Sequence, residues 1–159
     1  MKSLARIALL LSLFTAATSL GGCATLFARG GPQSVEILDR KETEKSVSVK
    51  HVLISWAWLA QTYRQIGLKL DRRAEGRTQA DAEKLVTDIL ARLRAGERIE
   101  PLMREFSEDE GSAQNGMAYP VTPDSRMAGD FIDLALRLKV GESGIVKSKF
   151  GYHVMWRER

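Results

Sequence analysis

From Ser46 to Ser55 polar and apolar residues first alternate, with Val47 and Val49 facing one way, and then merge into His51-Val52-Leu53-Ile54. β-Branched residues at period two predict a strand. The period changes at Thr78. Thr78 and Asp81 stand at capping-box spacing. Ala82, Leu85, Val86, Ile89 and Leu93 then share one helical face, and Gly96 stops the helix. A second, shorter helix is expected over Ile99 to Phe106, burying Leu102, Met103 and Phe106. The polar run Ser107 to Asn115 reads as a loop, and Met117 to Val121 as a short strand that Pro120 confines to an edge or bulge. Met127 to Leu138 places Phe131, Leu134, Ala135 and Leu138 on one helical face, closed by Gly141. Gly144 to Lys147 and Tyr152 to Arg157 read as two strands joined by a turn at Lys149 to Gly151. This order predicts an α+β domain over residues 47–159, built on a small antiparallel or mixed sheet.

The segment between the first strand and the capped helix is ambiguous. Trp56, Leu59, Tyr63, Ile66 and Leu70 follow helical spacing, and a charged turn from Asp71 to Arg77 follows. Three readings stay open: an extra short helix packed on the domain, a hydrophobic cover for clients, or a surface lying on lipid. Ahead of the domain, residues 1–22 read as a signal peptide. Lys2 and Arg6 precede an apolar stretch, Ile7 to Leu20, that is too short to span a membrane comfortably. The junction Leu20-Gly21-Gly22-Cys23 resembles the lipobox of bacterial lipoproteins. That resemblance implies cleavage before Cys23, a lipid on Cys23, and a membrane anchor. It also accounts for the chain's one cysteine. With Ala24 after the cysteine, the resemblance implies the outer membrane, facing the periplasm. Residues 23–46 carry Gly30, Gly31 and Pro32 and then a charged run from Asp39 to Lys45, which reads as a flexible tether. Val35-Glu36-Ile37-Leu38 is its one stretch suited to local structure.

The formal net charge is +4, and Lys2 and Arg6 contribute two of it. The remaining balance is small and mixed in sign, which argues against nucleic acid as a partner. Two histidines and one cysteine offer no metal-ligand set. There is no Gly-rich phosphate loop and no G-x-S-x-G elbow. His51 and His153 are the only histidines; one opens the domain and the other closes it. A sheet that sets their strands side by side would let the two imidazoles bond to each other and to a loop carboxylate. Two unrelated strand histidines are an equally good reading of the pattern alone.

Longer motifs decide between them. Phe106-Ser107-Glu108-Asp109-Glu110-Gly111-Ser112-Ala113 resembles the F-S-x-D-x-x-S-A signature of the parvulins. Met127-x-x-x-Phe131, then Ala135-x-x-Leu138-x-x-Gly141-x-Ser143-x-x-Val146, continues it. Phe150-Gly151-Tyr152-His153-Val154 and Lys50-His51-Val52-Leu53-Ile54 are similar to the family's closing and opening strands. The resemblance runs from about Val49 to Arg157. It implies a four-stranded sheet with three to four helices and peptidyl-prolyl cis-trans isomerase activity without a cofactor. His51, His153 and Asp109 would form the catalytic cluster. Met127, Phe131 and Phe150, with Ala118 and Tyr119, would bind the substrate. The implied partners are proline-containing segments of unfolded or partly folded exported proteins. One departure bears on activity. Many bacterial parvulins have G-G-x-L-G where this chain reads Asn115-Gly116-Met117-Ala118-Tyr119. Ala118 replaces an apolar wall, and Tyr119 either refills the space or blocks it. The alternative is therefore a non-catalytic chaperone or peptide-binding and assembly module on the same fold.

Overall fold

The computed structural model describes residues 31–42 and 44–159; the predicted signal peptide and Cys23 lie outside them. Four strands, β1 (Val47–Ile54), β2 (Tyr119–Val121), β3 (Ser143–Ser148) and β4 (Gly151–Arg157), form one antiparallel sheet in the order β2-β1-β4-β3. The first and last strands of the domain are thus the two central ones. Helices α1 (Val35–Leu38), α2 (Ala60–Gln65), α3 (Arg72–Glu75), α4 (Gln79–Arg94), α5 (Ile99–Phe106) and α6 (Gly129–Arg137) complete the domain. These exceed the three to four helices expected: α1 and α3 are single turns too short to leave a period in the sequence, and α2 is the extra short helix left open for the Trp56–Leu70 segment.

The sheet is buried on both faces, which is why β1 reads as a merged apolar run and not as a clean alternation. On one face Val52, Ile54, Ile145, Tyr152 and Val154 pack with Ala82, Val86, Ile89 and Leu90 of α4 and Leu102 and Met103 of α5. On the other face Val47, Val49, Val121, Val146 and Met155 pack against Phe131, Leu134 and Ala135 of α6. The α4 cap forms as predicted: the Thr78 hydroxyl accepts from the Asp81 amide, and the Asp81 side chain accepts from the Thr78 amide. Such a cap is worth ~1 kcal/mol. The third predicted helix begins at Gly129, two residues late, because Ala128 has extended backbone angles and acts as its N-cap.

Two further segments differ from expectation. Part of the predicted tether is seated on the domain. Ser34 bonds to the backbone of the edge strand β3, its amide donating to the Ile145 carbonyl at 2.9 Å and its side-chain Oγ accepting from the Ile145 amide at 3.0 Å. Ile37 of α1 is buried in the α6 face. An exposed strand edge is a ready template for pairing, and this short apolar run covers it. The segment Trp56 to Leu70 is not one helix. Gly67, at φ +74°, ends the helical run, and Ile66 points outward while Tyr63, Leu70 and Ala74 form a small satellite core.

Candidate active site

The β1–β4 register creates the histidine pair. Leu53 lies opposite His153, and His51 lies opposite Met155. The two histidines are therefore diagonal neighbours on one face, within side-chain reach. Their Nδ1 atoms are 3.2 Å apart and both rings are buried. Val49 pairs with Tyr119 across β1 and β2, which puts Tyr119 on that same face beside His51, with ring centroids 5.5 Å apart. Phe131 of α6 closes the group from the helix side, standing edge-on to both imidazoles with centroids 5.1 Å away.

Asp109 is brought to the pair by the loop after α5. The Glu108 amide donates to the Leu53 carbonyl at 2.9 Å, and Ser107 Oγ accepts from the Leu53 amide at 3.1 Å, so this loop runs alongside the end of β1. Three groups converge on Asp109 Oδ2: His51 Nε2 at 3.2 Å, Ser112 Oγ at 2.6 Å and Tyr119 Oη at 2.8 Å. Burial alone would raise the Asp109 carboxyl, but these donors outweigh it and hold the group well below the usual carboxylate range. Tyr119 is pushed up to about 12 by its burial and then by Asp109, so it is a standing donor at neutral pH. Gly111 is needed for this contact, since a Cβ there would lie 2.6 Å from Tyr119 Oη.

With both imidazoles neutral, one proton order satisfies the chain of bonds. An ionised Asp109 accepts only, so His51 donates from Nε2 and accepts at Nδ1. His153 therefore donates from Nδ1 and accepts at Nε2, where Ser148 Oγ lies at 2.7 Å and donates. Ser148 Oγ in turn accepts the Phe150 amide at 3.1 Å. Burial, and after it the neighbouring His51, push His153 well below an ordinary histidine, which keeps it neutral in this chain.

A cavity of about 690 Å³ opens beside the cluster. His51, His153, Asp109 and Phe150 lie on it, with Leu53, Tyr63, Leu68 and Leu70 supplying its apolar lining and Lys69, Arg72, Glu108 and Glu110 its charges. Phe150 is fixed by the intervening segment: Tyr63 Oη and Ser55 Oγ reach its carbonyl at 2.9 and 2.8 Å, and the Tyr63 ring stands edge-on to it. Glu108 and Arg77 form a buried ion pair, and both hold the Ser55 backbone. Arg73 crosses to the end of α5 and donates to the carbonyl of its C-cap Ser107 at 2.8 Å. The site residues predicted from the sequence thus divide. His51, Asp109, His153 and Phe150 line the cavity. Phe131 packs behind the imidazoles, Tyr119 binds Asp109, and Met127 and Tyr119 lie half-buried at the α6 cluster. Ala118 is half-buried just before β2. Sequence reasoning assigned no role to Ser112, Ser148, Ser55 or Tyr63. Ser112 stands inside the F-S-x-D-x-x-S-A stretch and was within reach; the others are visible only through tertiary contacts.

An antiparallel sheet whose central strands carry a diagonal imidazole pair, wired to a loop carboxylate at the head of a groove, defines a parvulin-type domain. The sequence bears this out: residues 34–156 match the PPIC-type PPIASE domain, and the chain belongs to that family. It is similar to the foldase protein PrsA of Bacillus subtilis, 30% identical over 121 residues, covering 76% of this chain and 39% of that protein. It is also similar to the chaperone SurA of Chromohalobacter salexigens, 41% identical over 80 residues, covering 50% of this chain and 18% of that one. The chain therefore spans well under half the length of these curated relatives. Peptidyl-prolyl isomerase ESS1 from Candida albicans shares the fold, with TM-score 0.59 and 20% identity over 74% of this chain and 65% of that one.

Proposed function

We propose that this chain is a peptidyl-prolyl cis-trans isomerase that assists the folding of exported proteins, held at a membrane surface by a lipid on Cys23. The observation that carries the enzymatic reading is the Asp109 cluster: an ionised carboxylate, fixed by three donors, on a cavity of about 690 Å³. Rotation about a prolyl bond faces a barrier of ~18–20 kcal/mol set by amide resonance. Resonance places negative charge on the carbonyl oxygen, and twisting removes it. A fixed carboxylate facing that oxygen repels the planar amide more than the twisted one, which lowers the barrier. No nucleophile is required. The histidines orient Asp109, and the substrate chain runs along Phe150 and Leu68 with its proline ring against the half-buried Met127 and Tyr119. The clients are X-Pro segments of partly unfolded exported chains, in keeping with relatives named foldase and chaperone. The lipid on Cys23, the membrane location and the outer-membrane address extend this reading from the sequence.

A non-catalytic peptide-binding module is favoured by one observation: Phe131 is only 4% exposed, so its ring faces the imidazoles and not an open cup. A protease-coupled prolyl assay separates the two. Isomerisation above background that falls at least tenfold in Asp109→Ala and Met127→Ala, with the fold kept, supports the enzyme. A background rate with peptide binding retained leaves only the binding module.

A further inference from the structure

Two large apolar side chains of the segment between β1 and α4 face outward, Trp58 at 84% exposure and Ile66 at 42%, while Leu68 lies on the groove. Trp58 sits in the 3-10 turn Ala57–Leu59, and Ile66 caps α2 directly behind it. Eight helical steps separate them, about 12 Å along the axis at 1.5 Å per residue. The buried face of the same segment is taken by Trp56, Tyr63 and Leu70, so the outward set is a second face and not a frayed core. Arg64 and Lys69 of this segment are exposed cations, and from Trp56 to Leu70 the sequence holds no acidic residue, Asp71 being the next. An exposed tryptophan beside aliphatic and basic side chains suits the headgroup region of an anionic bilayer.

The path of the chain says what covers this face. Gly31 passes so close to Tyr152 that a Cβ on it would lie 2.7 Å from Tyr152 Oη. The Tyr152 ring in turn packs on Trp56, with centroids 5.3 Å apart, two residues before Trp58. Gly31, the first described residue, therefore lies on the Tyr152–Trp56 side of the domain, and Trp58 follows Trp56 by two residues. Only eight residue steps separate Gly31 from Cys23, which span at most ~29 Å when fully extended. A lipid on Cys23 would hold this face within that reach of the headgroups, where even a weak surface affinity is amplified by effective concentration.

Resting on the lipidation proposed above, we infer that the Trp58–Lys69 face lies on the bilayer, with Trp58 and Ile66 in the headgroup region and Arg64 and Lys69 on anionic lipid. Leu68 and Lys69 also line the groove beside Asp109, so its mouth opens at the rim of the membrane contact. The test uses the chain from Cys23 onward, which keeps every described residue, coupled through its single thiol to a maleimide headgroup. The vesicles are phosphatidylglycerol and phosphatidylethanolamine with brominated acyl chains. Tryptophan emission is quenched in the parent, the quenching is lost in Trp58→Ala, and it weakens in phosphatidylcholine. Equal quenching in parent and variant, or none in the parent, overturns the docking. So does protection of Trp58 from acrylamide by a reduced, carboxymethylated polypeptide but not by the vesicles, which would assign the face to clients. The mass of the mature amino terminus decides the lipid itself. An unmodified Cys23 removes the tether on which the inference rests, whereas a lipidated Cys23 with no quenching removes the docking alone.

Discussion

Asp109 carries three donors on one oxygen, and Tyr119 is the one supplied by the position where this chain departs from its relatives' pattern. The residue that raised doubt about the pocket thus becomes part of the charge it holds. Hydrogen bonds to charged groups are worth ~1.5–3 kcal/mol, so Tyr119→Phe loosens Asp109's hold on its ionised form. The acid limb of the activity profile moves to higher pH, while activity at neutral pH falls several-fold; an unchanged limb would separate Tyr119 from the carboxylate. His153 sets a second pH response. Its folded value lies well below 6.5, so the unfolded chain binds the extra proton first. Stability therefore declines as pH drops below about 6.5, at up to ~1.4 kcal/mol per pH unit. Asp109, depressed from 3.8, adds its own loss only below that value. Urea unfolding from pH 7 to 4 reads the first window, and His153→Gln flattens it.

Among the elements, the segment before α4 and the short α1 carry stability out of proportion to their length. The Glu108 side chain is only 1% exposed against Arg77 at 14%, and removing one partner of such a largely buried pair costs ~3 kcal/mol. Glu108→Ala is expected to lower the urea midpoint accordingly at unchanged slope, and to loosen the Phe150 side of the groove. Ile37→Ala, in the stretch read as a tether, costs ~2–5 kcal/mol as a core truncation; a loss under half a kcal/mol would mean that α1 does not stay docked. Gly144 makes the room: a Cβ there would stand 3.1 Å from both Ile37 Cδ1 and Ser34 Oγ. These same elements mark where sequence reasoning stopped. The α4 helix was plain because its cap and its apolar face agree over sixteen residues. Val35–Leu38 is a single turn, too short for any period, and its burial depends on an edge strand more than a hundred residues away. That His51, His153 and Asp109 lie together was legible because the motif spacing carries them. The Tyr119 contact needs the Val49–Tyr119 register, which nothing local specifies. The groove is built by side chains of the Tyr63–Arg72 segment, whose fold Gly67 diverts from the helix that the spacing suggested.

At the scale of the whole molecule the sheet and the site are one object. Gly151, at φ +139°, brings β4 so close to β1 that a Cβ would sit 2.4 Å from the Ile54 carbonyl. Gly151→Ala is therefore expected to abolish the native near-UV spectrum, and activity with it, even though position 151 bears no chemistry of its own. The central pairing of the first and last strands has a further consequence, in the timing of assembly. About a hundred residues must be made, and their loop entropy overcome, before β1 meets β4. Until then His51 lacks its partner imidazole, and the two halves of the sheet, β2–β1 and β4–β3, stay unjoined. On the proposed reading, the chain would pass through a period in which it exposes an unpaired apolar strand of its own, and so would need the same help that it is proposed to give.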